Sequence, residues 1–162
     1  VTTYTQFTPS PTQAFSFRPT LDGTVYNVTV PWSLFGQRYY VTCYTLGGNL
    51  VFSVPLIGSP AGVDIEAASW ESNTVTITTK IPHAFKIGST VNLTIVNMMP
   101  TIYNGTFACN IINATQFTYP LASIPDGVSA LGSVQYNINL AAGYFASTLI
   151  YRQQNRVFEV SP

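Results

Sequence analysis

Tyr26, Val28, Val30 and Trp32 alternate with Val25, Asn27, Thr29 and Pro31, the period-two pattern of a strand with one buried face. From Arg38 to Leu46 two sets interleave, Tyr39, Val41, Cys43 and Tyr40, Thr42, Tyr44, Leu46. Both are apolar or aromatic, which is what a central strand covered on both sides requires. Gly47-Gly48-Asn49 supplies the positive φ of a hairpin turn, and Leu50 to Val54 is predicted to return antiparallel. This meander is the best-defined part of the chain.

The flanking pattern extends it. Pro9, Pro11 and Pro19 break the Thr-rich N-terminus into extended pieces, with a short edge strand expected at Phe15 and Phe17. Leu21-Asp22-Gly23-Thr24 reads as a hairpin turn, and Ser33 to Gln37 as a connection in which Gly36 is free to take unusual backbone angles. Gly and Pro cluster from Leu56 to Gly62, and the pattern changes after them. Val75/Ile77/Thr79, Val91/Leu93/Ile95, Phe107/Cys109/Ile111 and Phe117/Tyr119/Leu121 then alternate between turns, outlining a small barrel or sandwich of four to six strands. Val134/Tyr136/Ile138/Leu140 resumes the first style. Thr148–Tyr151 and Val157–Val160 are predicted to pair across Gln153-Gln154-Asn155.

The chain is therefore read as all-β and discontinuous. Residues 1–62 and 134–162 make one antiparallel sandwich or barrel, and residues 63–133 make a small β-barrel or sandwich inserted in one of its loops. The charges agree with two modules: Lys80 and Lys86 lie in the insert and all four arginines lie outside it.

Composition changes the picture in one respect. Charged residues are 7% of the 162 and cancel to zero net charge, whereas ordinary soluble proteins carry roughly 25%. With aromatics at 14%, the surface is either an uncharged Thr/Asn/Ser surface or one covered by other subunits, and the second reading is preferred. Six scattered cations make no nucleic-acid patch, and no apolar run reaches the length of a membrane span. The polar start VTTYTQFTPSPTQ does not read as a signal peptide, and Val1 is compatible with removal of a leading Met.

Candidate chemistry is sparse. His83 is the only histidine and has no Cys, Asp or Glu beside it. Asp64 and Glu66 read as a solvated loop at a domain boundary rather than a catalytic pair. Cys43 and Cys109 lie in alternating strands, where a buried thiol is expected and a disulfide is not. No Cys or His cluster has metal-ligand spacing, and Gly47-Gly48 lacks the helix and Lys of a phosphate loop. The Asn-x-Thr sequons at Asn27, Asn92, Asn104 and Asn113 arise freely in Asn- and Thr-rich strands. Neither an enzyme nor a cofactor site is expected. Arginine beside aromatic residues suits subunit contacts, which singles out Arg38, Tyr39, Tyr40, Tyr151, Arg152 and Arg156. The Pro-broken edge at Phe15 and Phe17 offers unpaired backbone for strand addition.

Four runs carry a family resemblance. They are Thr20–Thr24, Trp32-Ser33-Leu34-Phe35-Gly36-Gln37-Arg38-Tyr39-Tyr40, Pro55–Pro60, and Ile138-Asn139-Leu140 through Ser147–Arg152 to Phe158–Pro162. Together they resemble a family of tailed-phage virion proteins that includes the plug protein of a contractile-tail cyanophage baseplate. In that family the N- and C-terminal runs stand closer together, which favours an insertion. The middle segment, His83…Gly88…Val91…Pro100…Tyr103-Asn104-Gly105-Thr106-Phe107…Gln116-Phe117-Thr118-Tyr119, looks like a small β-module recurring in phage tail and adhesin-like proteins. The resemblance implies a structural subunit of a tail or baseplate, in the virion after assembly in the host cytoplasm. It also implies contacts with hub, tube or wedge proteins and a threefold or sixfold homo-oligomeric ring. The alternative is a carbohydrate- or receptor-binding module stacking sugars on Trp32, Trp70 or tyrosines.

Overall fold

Prolines delimit the first strands of the computed structural model, which describes residues 1–123 and 126–162. β1 (Thr3–Gln6) stops short of Pro9, and β2 (Phe15–Phe17) stops at Arg18-Pro19, since proline has no N–H to give a ladder. β3 (Thr20–Leu21) and β4 (Thr24–Val25) form a tight hairpin. Its two central residues, Asp22 and Gly23, both have the positive φ that a mirror-image hairpin turn demands. β5 (Asn27–Val30) and β6 (Trp32–Ser33) are one strand interrupted at Pro31. Thr29 opposite Thr42 and Trp32 opposite Tyr39 belong to the same register on β7 (Arg38–Tyr44), so the proline breaks the ladder without shifting it. β8 (Leu50–Pro55) pairs with the other side of β7, across a turn in which Gly48 has φ 85°. β2 is the outermost strand of this sheet, beside β5.

The next six strands close on themselves. β9 (Val63–Glu71), β10 (Thr74–Thr79), β11 (Thr90–Val96), β12 (Gly105–Ile111), β13 (Gln116–Pro120) and β14 (Ser133–Gln135) form a barrel in the order β10-β13-β12-β11-β14-β9. Each of the six strands has a neighbour on both sides, although the short β14 covers only the start of β9 and the end of β11. The inward set Ile65, Val75, Ile77, Leu93, Ile95, Cys109, Phe117 and Tyr119 is sealed from water. Phe107 stacks on Tyr119 with centroids 4.2 Å apart, and the Tyr119 hydroxyl donates to the Tyr103 carbonyl at 3.0 Å. Among the described residues there is no α-helix, only a single 3-10 turn at Thr101–Tyr103. No helix among the described residues is long and apolar enough to cross a membrane.

β15 (Thr148–Arg152) and β16 (Val157–Ser161) pair as the alternation predicts, and β1 adds to the far side of β16. The three-stranded sheet faces the meander across a core centred on Phe158. That ring lies 4.9 Å from Phe17, 5.1 Å from Tyr151 and 5.6 Å from Phe7. Aromatic pairs at these distances add to what burial alone contributes.

The protein is all-β, and its contacts separate two units, Val1–Pro60 with Ile138–Pro162, and Ala61–Asn137. The sequence boundaries of 62/63 and 133/134 differ from these by a few residues, most clearly at β14. The alternation groups Val134 with Ile138 and Leu140, yet Val134 is a buried member of the barrel core, because β14 is the short strand that joins β9 to β11.

Candidate functional site

The hairpin between β6 and β7 ends in a four-residue loop, Leu34-Phe35-Gly36-Gln37. Loops of this kind ordinarily carry Gly, Asn, Asp or Ser. Here Phe35 is fully exposed and Leu34 is 79% exposed. The loop is nonetheless well held. Ser33 Oγ accepts the Gly36 N–H at 3.1 Å, Trp32 packs edge-on to Tyr39 at 4.9 Å, and Arg38 Nε reaches the Gly36 carbonyl at 3.4 Å. Gly36 was expected to supply the unusual backbone angle, but Gln37 does so with φ 50°. Position 36 is snug instead, since a Cβ there would come to 3.3 Å from the Tyr40 hydroxyl and that side chain would have to shift. The result is a stiff tip that holds two large apolar side chains in water.

The opposite end of β7 is apolar as well. Leu46 and Leu50 flank the β7–β8 turn, and each is 60% exposed. Exposed apolar side chains thus flank this strand at either end.

The residues chosen from sequence divide between this surface and the interior. Arg38 is exposed beside the tip, and Tyr40 is half-buried over it. Tyr39 is half-buried between Trp32 and Phe7. Tyr151 is a core residue whose burial pushes its hydroxyl pKa up. Arg152 is engaged within the subunit: its Nε donates to Glu159 Oε2 at 2.8 Å, with both side chains about four-fifths covered. Arg156 is exposed at the β15–β16 turn with φ 55°, and its carbonyl accepts the Phe7 N–H. Phe15 and Phe17 turn their rings onto Phe158, so what β2 leaves open is its backbone edge. Sequence reasoning passed over Leu34 and Phe35 as a plain connection. The available signal was two bulky apolar residues where turn chemistry calls for small polar ones.

The remaining candidates have structural explanations. His83 is buried, stacked on Phe85 at 5.0 Å, and its Nδ1 accepts the Phe85 N–H. Nε2 then carries the proton of the neutral ring, and no well-formed hydrogen bond reaches it. Burial holds this imidazole below its ordinary pKa, partly opposed by the carbonyls of Gln116 and Asn113. Asp64 and Glu66 lie not on a solvated loop but on β9, where Asp64 pairs with Lys80 at 3.3 Å. Trp70 is half-buried and donates its indole N–H to the Leu121 carbonyl at 2.9 Å, so it is no open platform for a sugar. Cys43 and Cys109 are free and buried, and their thiols are pushed up to about 11 and about 12 by desolvation. Among the described residues, no group of three or more His, Cys, Asp or Glu side chains gathers to hold a metal.

Comparison with protein-family models, with curated proteins and with solved structures finds no match for this chain.

Proposed function

We propose that this protein is a structural subunit of a bacteriophage tail or baseplate, acting through contacts between subunits rather than through catalysis. The observation that carries the reading is the Leu34–Phe35 tip. Covering one such side chain is worth about 1.5–3 kcal/mol, and a chain with 7% charged residues has little else to keep that surface apart from a neighbour. The resemblance of the Trp32–Tyr40 run to the baseplate plug family falls on the residues that build the tip. With a second apolar contact at Leu46 and Leu50, two different surfaces of each copy are available. A head-to-tail contact of that sort closes into a ring or runs on as a fibre. A threefold or sixfold ring on the tail axis, set against hub, tube or wedge proteins, is the closed solution.

The test is the mass of the full chain in solution, with Leu34→Ser/Phe35→Ser as its partner variant. The wild type is expected as a closed oligomer that survives moderate salt, because its contacts are apolar. The double variant should be monomeric and still unfold cooperatively, with a melting temperature that no longer rises with protein concentration. A wild type that stays monomeric at high concentration and does not bind purified tails would end the proposal. Imaging of virions places the subunit: density on the capsid, or one copy away from the tail axis, would refute the location.

A further inference from the structure

The sheet β2–β5–β7 turns Phe15, Phe17, Val28, Val30 and Cys43 to the core. Its other face is polar. Ser16 lies opposite Thr29, and Asn27 lies opposite Tyr44, with Arg18 following at the end of β2. These residues, with Gly48 of the β7–β8 turn, line a cleft of about 570 Å³, within the range of small-molecule sites.

Its chemistry is one-sided. Arg18 Nε donates to Asn27 Oδ1 at 3.0 Å. That bond orients the guanidinium and leaves both terminal NH2 groups for a ligand, the fork that matches a carboxylate. The two carboxylates of this unit are occupied elsewhere: Asp22 binds the 146–147 backbone and Glu159 binds Arg152. Asn27 keeps its amide NH2, and hydroxyls line the floor at Ser16, Thr29 and Tyr44. Tyr44 is half-buried and takes no part in the aromatic clusters, so its ring is available as a wall.

We infer that this cleft binds a carboxylated sugar residue of the uronic acid type, with the carboxylate on the Arg18 fork. The ring hydroxyls meet Asn27, Ser16 and Thr29, and the pyranose lies against Tyr44. A single cation is too little for a polyanion held by charge alone. The volume and the hydroxyl lining exceed what a bare anion uses. The inference does not use the Leu34–Phe35 tip; the cleft shares Gly48 with the turn that Leu46 and Leu50 flank, so the ligand titration and the mass measurement test the two proposals separately.

The experiment follows backbone amide resonances of the isotope-labelled full chain during titration with methyl glucuronide. Methyl glucoside and inorganic phosphate serve as comparison ligands. The glucuronide should shift Ser16, Asn27, Thr29 and Gly48, and the glucoside should bind at least tenfold more weakly for want of the carboxylate. Arg18→Gln, an exposed substitution, should reduce affinity at least tenfold, while Arg18→Lys retains part of it. Ser16→Trp, which fills the cleft, should abolish binding as an independent check. Absence of shifts with the glucuronide would overturn the site, as would equal binding by Arg18→Gln. Phosphate binding as tight as the glucuronide would overturn the sugar assignment.

Discussion

Asp22 and Ser147, 125 residues apart in sequence, bind each other through both backbone and side chain. The Asp22 N–H donates to Ser147 Oγ at 2.7 Å, and the Ser147 N–H donates to Asp22 Oδ1 at 2.7 Å. The Ala146 N–H adds a third bond, to Oδ2 at 3.0 Å. The clasp ties the β3–β4 hairpin to the segment that enters β15, beside the Tyr26–Phe145 ring pair that joins the same two stretches.

A pH dependence follows from the clasp. The Ser147 N–H, then the Ala146 N–H and the Ser147 hydroxyl, hold the Asp22 carboxyl below its ordinary pKa. A depressed carboxylate contributes stability above its unfolded value of about 3.9 and loses it as pH falls through the folded value. Asp22→Asn should therefore melt at a lower temperature than wild type near pH 7, and the gap should shrink below about pH 4. Melting curves across that range check this. A gap that is constant with pH would mean the carboxylate charge is irrelevant.

Phe158 is the second point of strength. It is fully buried and touches rings from β2, β15 and the segment after β1. Phe158→Ala should cost about 3–5 kcal/mol, the range for emptying an aromatic site in a core. Against a total of roughly 5–15 kcal/mol, denaturant unfolding would move far to lower concentration. A loss under about 1 kcal/mol would show that the two sheets are not held by this cluster.

Most of these strands were legible because their alternation is unbroken. Val28 and Val30, Leu93 and Ile95, Phe117 and Tyr119 each place one face inward for the whole strand. β9 was not legible, for a specific reason. Its register against β10 shifts between Thr78 and Thr79, so Ala67 and Ile65 take successive partners and Glu66 is skipped. Ile65 is buried, and the next partly covered residues are Ala68 and Trp70, an odd spacing that hides the strand from a period-two search. The tip was hidden differently. Alternation describes what a chain buries within itself, and Leu34 and Phe35 are apolar without being buried there.

Gly132 closes the barrel. A Cβ at that position would fall on the carbonyl oxygen of Val96, which is held in the β11–β14 ladder, and against the backbone of Asn97 and Met98. Its own carbonyl accepts the Ile65 N–H, linking it to β9. Gly132→Ala should open the β9–β14–β11 seam, seen as faster amide exchange at Ile65 and Val134. Gly127→Ala, with nothing near its Cβ, is the control and should change neither. Equal protection in both variants would refute the packing argument.

The two thiols should be silent. With pKa values pushed up to about 11 and about 12, Cys43 and Cys109 are almost wholly protonated near neutral pH, and neither reaches the surface. Alkylating reagents should label neither in the native protein and both after denaturation. Fast labelling of one thiol in native buffer would expose a local opening of its unit.

The insertion can be tested by removing it. Ser59 is buried at the place where the chain leaves the first unit. Its N–H donates to the Tyr151 carbonyl at 2.8 Å, and its hydroxyl accepts the Ile138 N–H at 3.0 Å. The residue before the exit therefore holds the first residue after the return, and a linker of a few Gly and Ser residues spans Pro60 to Ile138. Such a deletion keeps every residue of the Phe158 core and the Asp22–Ser147 clasp. It should give a cooperatively unfolding β-protein, with one transition seen alike by circular dichroism and by tryptophan fluorescence from Trp32. The excised segment 61–137 should fold by itself, because its barrel is closed and its buried set lies within those residues. A deletion product that is molten under conditions where the full chain folds would mean that the first unit depends on the barrel.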